Sequence, residues 1–393
     1  MGAAAKAVVW NGINRLAVER VPDPVILDPG DVILKVLLSA ACGSDLHLLD
    51  GYIPTVRTGD VLGHEFLGEV VEAGAAVRNH RVGDRVVVAS FIACGTCWHC
   101  RREEFSLCDN SNPNPGIPET FWGASIGGCF GYSHATGGFA GSHAEYVRVP
   151  FADVGAFRVP DEVSDERALF ASDAAPTGWM GADLGGVGPG DVVAVWGAGA
   201  VGQSAARAAQ LLGAERVIVI DRFAYRLEQA RTTMGVDTID YSDTAVLATL
   251  KELTGGRGPD VCIEAVGMEA QRSRIDGVID TVKQQVRLQT GRPTALREAI
   301  LACRKGGSVF VLGVFAGIVD SFPIGPMMNK GLTVRGAQQH GQRYIPMLLE
   351  RMRTGQLTTE QFATQILPLD DAPHAYSLFK HKQDDCVRPV FRP

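Results

Sequence analysis

The sequence predicts an α/β fold whose second half carries a doubly wound parallel sheet. Three observations lead to this. The stretch "GDVVAVWGAGAVGQSAARAAQLLGAERVIVID" reads as an apolar strand (Val192 to Trp196), a tight glycine turn, a helix to about Leu212, a second strand (Val217 to Ile220) and then Asp221. Two further strand-like runs, "DVCIEAVG" at 260–267 and "GSVFVLGVF" at 307–315, continue the alternation of strand and helix. The chain has 393 residues, more than one ordinary hydrophobic core organises, so two or three domains are expected.

The first element carries the most chemistry. Gly197, Gly199 and Gly202, with Val201 beside the last, follow a strand and open a helix, and an acid closes the next strand. In that context the glycine pattern is the dinucleotide-binding, or Rossmann, fingerprint: the backbone comes close to a pyrophosphate at the helix N-terminus. Asp221 can accept the adenosine ribose hydroxyls and would repel a 2′-phosphate, which favours NAD. Arg222 follows it and can meet a phosphate, so NADP stays open as the lesser alternative.

Bulk properties bound the setting. The net charge is −7 and the basic residues are dispersed, which argues against a nucleic-acid partner. No stretch reaches the roughly 18 apolar residues of a membrane span. The nine cysteines are odd in number, and Lys6 interrupts the first apolar run, so the opening residues do not read as a leader. A cytoplasmic, thiol-reducing setting is the expectation.

In such a setting "CGTCWHCRREEFSLC" is better explained by a metal than by disulfides. Cys94, Cys97, Cys100 and Cys108 stand at spacings that let neighbouring sulfurs converge on one ion. Zinc is the expected occupant, an iron–sulfur cluster the alternative. The flanking residues are mostly polar or charged, as suits a surface lobe clamped by a closed site, so the role read here is structural and the chemistry must lie elsewhere.

A second set is scattered. "ACGSDLH" supplies Cys42, Ser44, Asp45 and His47, and "GHEFLGEVVEAG" supplies His64 and Glu65 among glycines. Together with the cysteine run and the glycine fingerprint, these motifs resemble the medium-chain zinc alcohol dehydrogenases over nearly the whole chain. The resemblance implies a structural zinc in the four-cysteine lobe and a catalytic zinc held by Cys42, His64 and a third ligand. Many members place a cysteine at that third position; here "FASDAAPTGW" offers Asp173, which is similar to the glutathione-independent formaldehyde dehydrogenase branch. One thiolate, one carboxylate and one neutral imidazole still balance zinc's two charges. By the same resemblance Glu65 is a reserve ligand, Asp45 orients His64, and Ser44 and His47 relay the alcohol proton through the coenzyme ribose. Arg388 in "CVRPVF" stands where relatives bind pyrophosphate, an exposed tail charge being the rival reading. Gly43 replaces the arginine that some animal members carry after the first ligand.

The resemblance further implies a β-rich, GroES-like catalytic domain over 1–174, the NAD-binding Rossmann domain over 175–336, and a C-terminal return, 337–393, to the first. Substrate and nicotinamide would meet between them, and a homodimer or homotetramer is expected. Two segments exceed a minimal member: 113–139, where Trp122 reads as a pocket wall or a core plug, and 269–294, whose apolar residues fall near helical spacing. The latter reads as a surface helix, an oligomer contact or a cover for the adenosine end of the coenzyme. Substrate walls are expected around Ser44, Trp122, Phe315 and Gln338. The function expected is zinc- and NAD-dependent dehydrogenation of a small-molecule alcohol or aldehyde. The rivals are an aldehyde dismutase with tightly held NAD, and a non-catalytic zinc- and nucleotide-binding redox sensor.

Overall fold

The computed structural model describes residues 4–269, 293–315, 317–319 and 321–393. They form two compact units, Met1–Pro176 with Gln339–Pro393, and Thr177–Gln338. Most of the 269–294 segment thus lies outside the described residues. Among them no helix is long and apolar enough to cross a membrane.

The first unit is built on a seven-stranded sheet. Its centre is β1 (Val32–Ala40) and β2 (Glu65–Ala73), flanked by β3 (Arg85–Val88), β4 (Tyr146–Val149) and β5 (Ala156–Arg158). Strands Ala363–Pro368 and Arg388–Arg392 extend it on the far side of β1, so the end of the chain rejoins its beginning. The β-branched and leucine side chains of β1 suit a pleated surface covered on both faces. Val32, Leu34 and Val36 join Phe66, Val86 and Val88 in one core, where Phe66 meets Phe130 edge-on at 5.2 Å. The antiparallel register pairs Ala40 with Glu65. That pairing carries the consequence for function, because the residues just past the end of β1 and just before the start of β2 emerge side by side.

The second unit is a six-stranded, all-parallel sheet of β6 (Val192–Trp196), β7 (Arg216–Asp221), β8 (Asp237–Asp240), β9 (Val261–Glu264), β10 (Ser308–Val311) and β11 (Thr333–Gly336). Its order, β8-β7-β6-β9-β10-β11, reverses direction between β6 and β9, the switch point at which doubly wound sheets bind nucleotides. Two strand-like runs prove shorter than read. The run at 260–267 stops at Glu264, because that carboxylate accepts hydrogen bonds from the Val266 and Gly267 amides and turns the chain (2.9 and 2.7 Å). The run at 307–315 stops at Val311.

Candidate active site

Cys42 follows β1 and caps α1 (Gly43–Leu49), with its own backbone extended. Its amide donates to Asp45 Oδ2 at 2.8 Å, so the acid in the first turn secures the thiol's position. His64 immediately precedes β2, and the Ala40–Glu65 register brings it to Cys42. Asp173 arrives from far along the chain and is pinned by its neighbours. Ser172 Oγ donates to the Val88 carbonyl of β3 (2.5 Å) and accepts from the Phe66 amide of β2 (3.0 Å), while the Ala174 amide donates to Glu65 Oε1 (2.9 Å). Three elements therefore converge, and one ligand atom each of Cys42, His64 and Asp173 lies within 4.8 Å of the others.

The donor set fits a divalent metal. His64 Nε2 stands 3.5 Å from Asp173 Oδ2. Tetrahedral zinc with bonds of about 2.0–2.3 Å separates its ligand atoms by roughly 3.3–3.8 Å. The other ring nitrogen, Nδ1, faces Asp45 Oδ1 at 3.2 Å, which selects the tautomer that leaves Nε2 as a donor to metal. Burial alone would lift the Asp45 carboxyl, but His64, His143 and the Cys42 amide hold it below the usual carboxylate range. Ser44 Oγ lies 3.3 Å from His64 Nε2, and His47 follows one turn later on the same face of α1, buried.

Behind the cluster, Glu65 is fully buried, and Arg388 Nη1 approaches its Oε2 at 3.9 Å while donating to the Ala41 carbonyl at 2.8 Å. Burial lifts the Glu65 carboxyl to about 7, against the pull of Arg388. Arg388 is therefore no exposed tail charge; its guanidinium sits on the inner side of this cluster. Trp122, by contrast, is 47% exposed on helix Gly116–Trp122, so it does not plug a core.

Several residues near the cluster carried no motif. Tyr132, from the 113–139 segment, sets its ring edge-on to His64 at 6.1 Å. His143 Nδ1 lies 2.7 Å from Ser39 Oγ and its Nε2 lies 3.0 Å from Tyr376 Oη, behind Asp45. Burial lowers the His143 pKa to about 4, so the ring is neutral at pH 7 and bridges two hydroxyls. Gln339 donates to Asp173 Oδ1 at 2.8 Å. The one sequence signal for this surround was the density of glycine in 127–141, which lets that segment close around the His64 turn.

The four-cysteine lobe is also assembled. Cys94 and Cys100 sulfurs stand 4.0 Å apart, as do those of Cys97 and Cys108, and none of the nine cysteines is in a disulfide. Sulfurs on tetrahedral zinc stand about 3.8 Å apart. Backbone amides of Thr96 and Cys97 point at Cys94 Sγ (3.4 Å each) and that of Cys94 at Cys108 Sγ (3.3 Å), an arrangement that favours thiolates.

In the second unit the turn after β6 opens α2 (Ala200–Leu211). A Cβ on Gly202 would fall 1.8 Å from the Gly197 carbonyl oxygen, so only glycine allows this helix to pack on its own turn. At Gly199 the nearest atom to an added Cβ is Arg226 Nη1 at 3.8 Å, leaving the helix N-terminus approachable for a phosphate. Val201 is half-buried in the first turn of α2. Asp221 ends β7, accepting from the Ala198 amide (2.6 Å) and the Arg222 amide (2.7 Å), which joins the acid to the glycine turn. The guanidiniums of Arg222 and Arg226 both lie over the Phe223 ring, at 4.5 and 5.1 Å; Arg226 is buried and had not been singled out in the sequence.

The chain is similar to known zinc-dependent dehydrogenases. Residues 28–161 match the alcohol dehydrogenase GroES-like domain, and residues 200–278 match the zinc-binding dehydrogenase family. The zinc-type alcohol dehydrogenase-like protein AdhB of Bacillus subtilis is 40% identical over 99% of this chain and 100% of its own length. A glutathione-independent formaldehyde dehydrogenase of Pseudomonas aeruginosa is 33% identical over 95% of this chain and 94% of its own. Among solved structures, the alcohol dehydrogenase TADH from Thermus sp. ATN1 superposes with a TM-score of 0.82 at 35% identity, covering 98% of this chain and 99% of that one.

Proposed function

The chain belongs to the medium-chain zinc alcohol dehydrogenase family, and from that premise we propose that it transfers a hydride between a small alcohol or aldehyde and NAD. The observation that carries the reading is the convergence of Cys42, His64 and Asp173, one sulfur, one nitrogen and one oxygen, from three remote stretches. Three ligands from the protein leave a fourth position for substrate, as catalytic rather than structural sites do. When bound, zinc supplies a Lewis acid for the substrate oxygen, and the nicotinamide supplies the hydride acceptor.

The protein's own groups do the rest. Asp45 holds His64 in its donor tautomer. Ser44 Oγ accepts the proton of the substrate hydroxyl as it releases its own, and His47, three residues along α1, takes up the released proton and passes it outward. Glu65 is the reserve carboxylate, kept behind the cluster by the Ala174 amide and Arg388. Val201 and the glycines of the β6–α2 turn would cradle the pyrophosphate, and Asp221 would take the ribose hydroxyls. That acid supports NAD over NADP, though two guanidiniums stand close by. The four-cysteine lobe holds a second, structural zinc.

The test is Cys42→Ala. Oxidation of a panel of primary, secondary and aromatic alcohols, followed by absorbance of the reduced nicotinamide, falls at least about 10³-fold, the scale expected when metal activation is lost. NADH affinity, followed by fluorescence, changes less than about threefold. Equal turnover in the variant overturns the assignment. Conversion of an aldehyde with no net reduced nicotinamide would replace dehydrogenation by dismutation.

A further inference from the structure

Asp173 presents its two oxygens to different neighbours. Oδ2 faces His64 Nε2 at 3.5 Å, on the side of the ligand cluster. Oδ1 turns away from it and accepts from Gln339 Nε2 at 2.8 Å, with Ser90 Oγ at 3.5 Å. Gln339 is 2% exposed, and its Nε2 also meets the Ser172 carbonyl at 3.0 Å and Ser90 Oγ. Carboxylate, carbonyl and hydroxyl oxygens thus converge on one end of the side chain, so that end must be the NH₂. The amide oxygen at the other end is buried and has no hydrogen-bond partner among the described residues. Leaving a buried acceptor unmade is costly, a cost that an apolar residue filling the same space would not carry.

The backbone that presents Gln339 is itself fastened. His340 Nδ1 lies 3.0 Å from Ser106 Oγ, and Gln342 Nε2 donates to the Phe91 carbonyl at 2.6 Å. The amide is therefore presented from a fixed backbone.

We propose that Gln339 is a positioning residue for the metal site, locking the Asp173 carboxylate so that a single oxygen, Oδ2, is offered to the ion. The chemistry explains why such a clamp is needed here. A thiolate has one donor atom and no further torsion beyond it. A carboxylate has two equivalent oxygens and a soft terminal torsion, so an unheld aspartate can rotate away or bind through both oxygens, closing the position that substrate requires. Gln339 and Asp173 form a pair, and the amide matters because the third ligand is a carboxylate. The inference rests on reading Cys42, His64 and Asp173 as a metal site.

The experiment is zinc titration of the full chain, stripped by chelator, against a chromophoric competitor, with the visible spectrum of the cobalt(II) form as a second readout. Wild type is expected to take two ions per chain. Gln339→Met is expected to keep the four-cysteine ion and the far-UV circular dichroism of the wild type, to bind the second ion about 10–100-fold more weakly, and to shift the cobalt bands. In an Asp173→Cys background the same substitution is expected to change that affinity less than about threefold. Unchanged affinity and spectrum in Gln339→Met overturn the proposal, as does an equal loss in both backgrounds, which would mark the residue as packing alone. Should Gln339→Met fail to fold, Gln339→Glu, of equal length, sets a second carboxylate against Asp173 Oδ1; it must weaken the second ion at least as much, and tight binding overturns the proposal. A wild type that takes only the four-cysteine ion would instead defeat the underlying site reading.

Discussion

Gly63 has φ +102°, and a Cβ placed on it would lie 2.4 Å from His143 Nδ1. The glycine beside His64 thus serves two needs, a left-handed backbone and the His143 ring packed against its Cα. Gly63→Ala adds backbone strain to overpacking, each about 1–3 kcal/mol. A loss of about 2–6 kcal/mol in urea unfolding is expected, and a loss under about 1 kcal/mol would refute the account. The surrounding side chains form one continuous arrangement at this scale. Ser39, His143 and Tyr376 stand behind Asp45, Asp45 behind His64, and Gln339 behind Asp173. His64 and Asp173 are each held by a partner, Asp45 and Gln339, and Cys42 is placed by the cap of α1.

At the scale of elements, the β1–β2 register assembles the Cys42–His64 pair as the β6–α2 turn brings Gly197 and Gly202 together. A register slip of one residue would send the side chains of β2 to the opposite face and part His64 from Cys42. In the second unit, α2 begins so close to β6 that Gly202 meets the Gly197 carbonyl. Gly202→Ala must push the first turn of α2 off that carbonyl, tilting the amides proposed to hold a pyrophosphate. NADH affinity by fluorescence titration is expected to fall more than tenfold, with zinc content unchanged at both sites; retention of wild-type affinity would count against the phosphate cradle.

For the whole molecule, pH acts through buried carboxyls. Glu264, at the end of β9, is raised to about 7 by burial, partly offset by the Gly267, Val266 and Gly313 amides. Its folded pKa lies above its unfolded value of 4.5, so the folded state binds the proton more tightly. The stability it contributes is complete below about pH 4.5 and is lost as pH rises through about 7. Glu264→Gln is expected to flatten this part of the stability profile between pH 5 and 8 by up to about 3 kcal/mol, from roughly 2.5 pKa units at 1.36 kcal/mol each. A profile parallel to the wild type would show that the carboxyl does not titrate there.

How far the chain could be read depended on whether a constraint was local. The glycine turn, the apolar strands on either side of it and the tightly spaced cysteines were legible, because backbone approach and sulfur convergence act over a few residues. Cys42, His64 and Asp173 could be named as chemical types, yet only the Ala40–Glu65 pairing and the Ser172 hydroxyl bring them together. Gln339 stands 166 residues from Asp173 and bears no motif. The burial of Arg388 and the exposure of Trp122 were equally out of reach. Residue identity and short spacing settle what a side chain can donate or accept. Which partner it meets across a hundred residues is set by strand pairing and packing, and those belong to the folded chain.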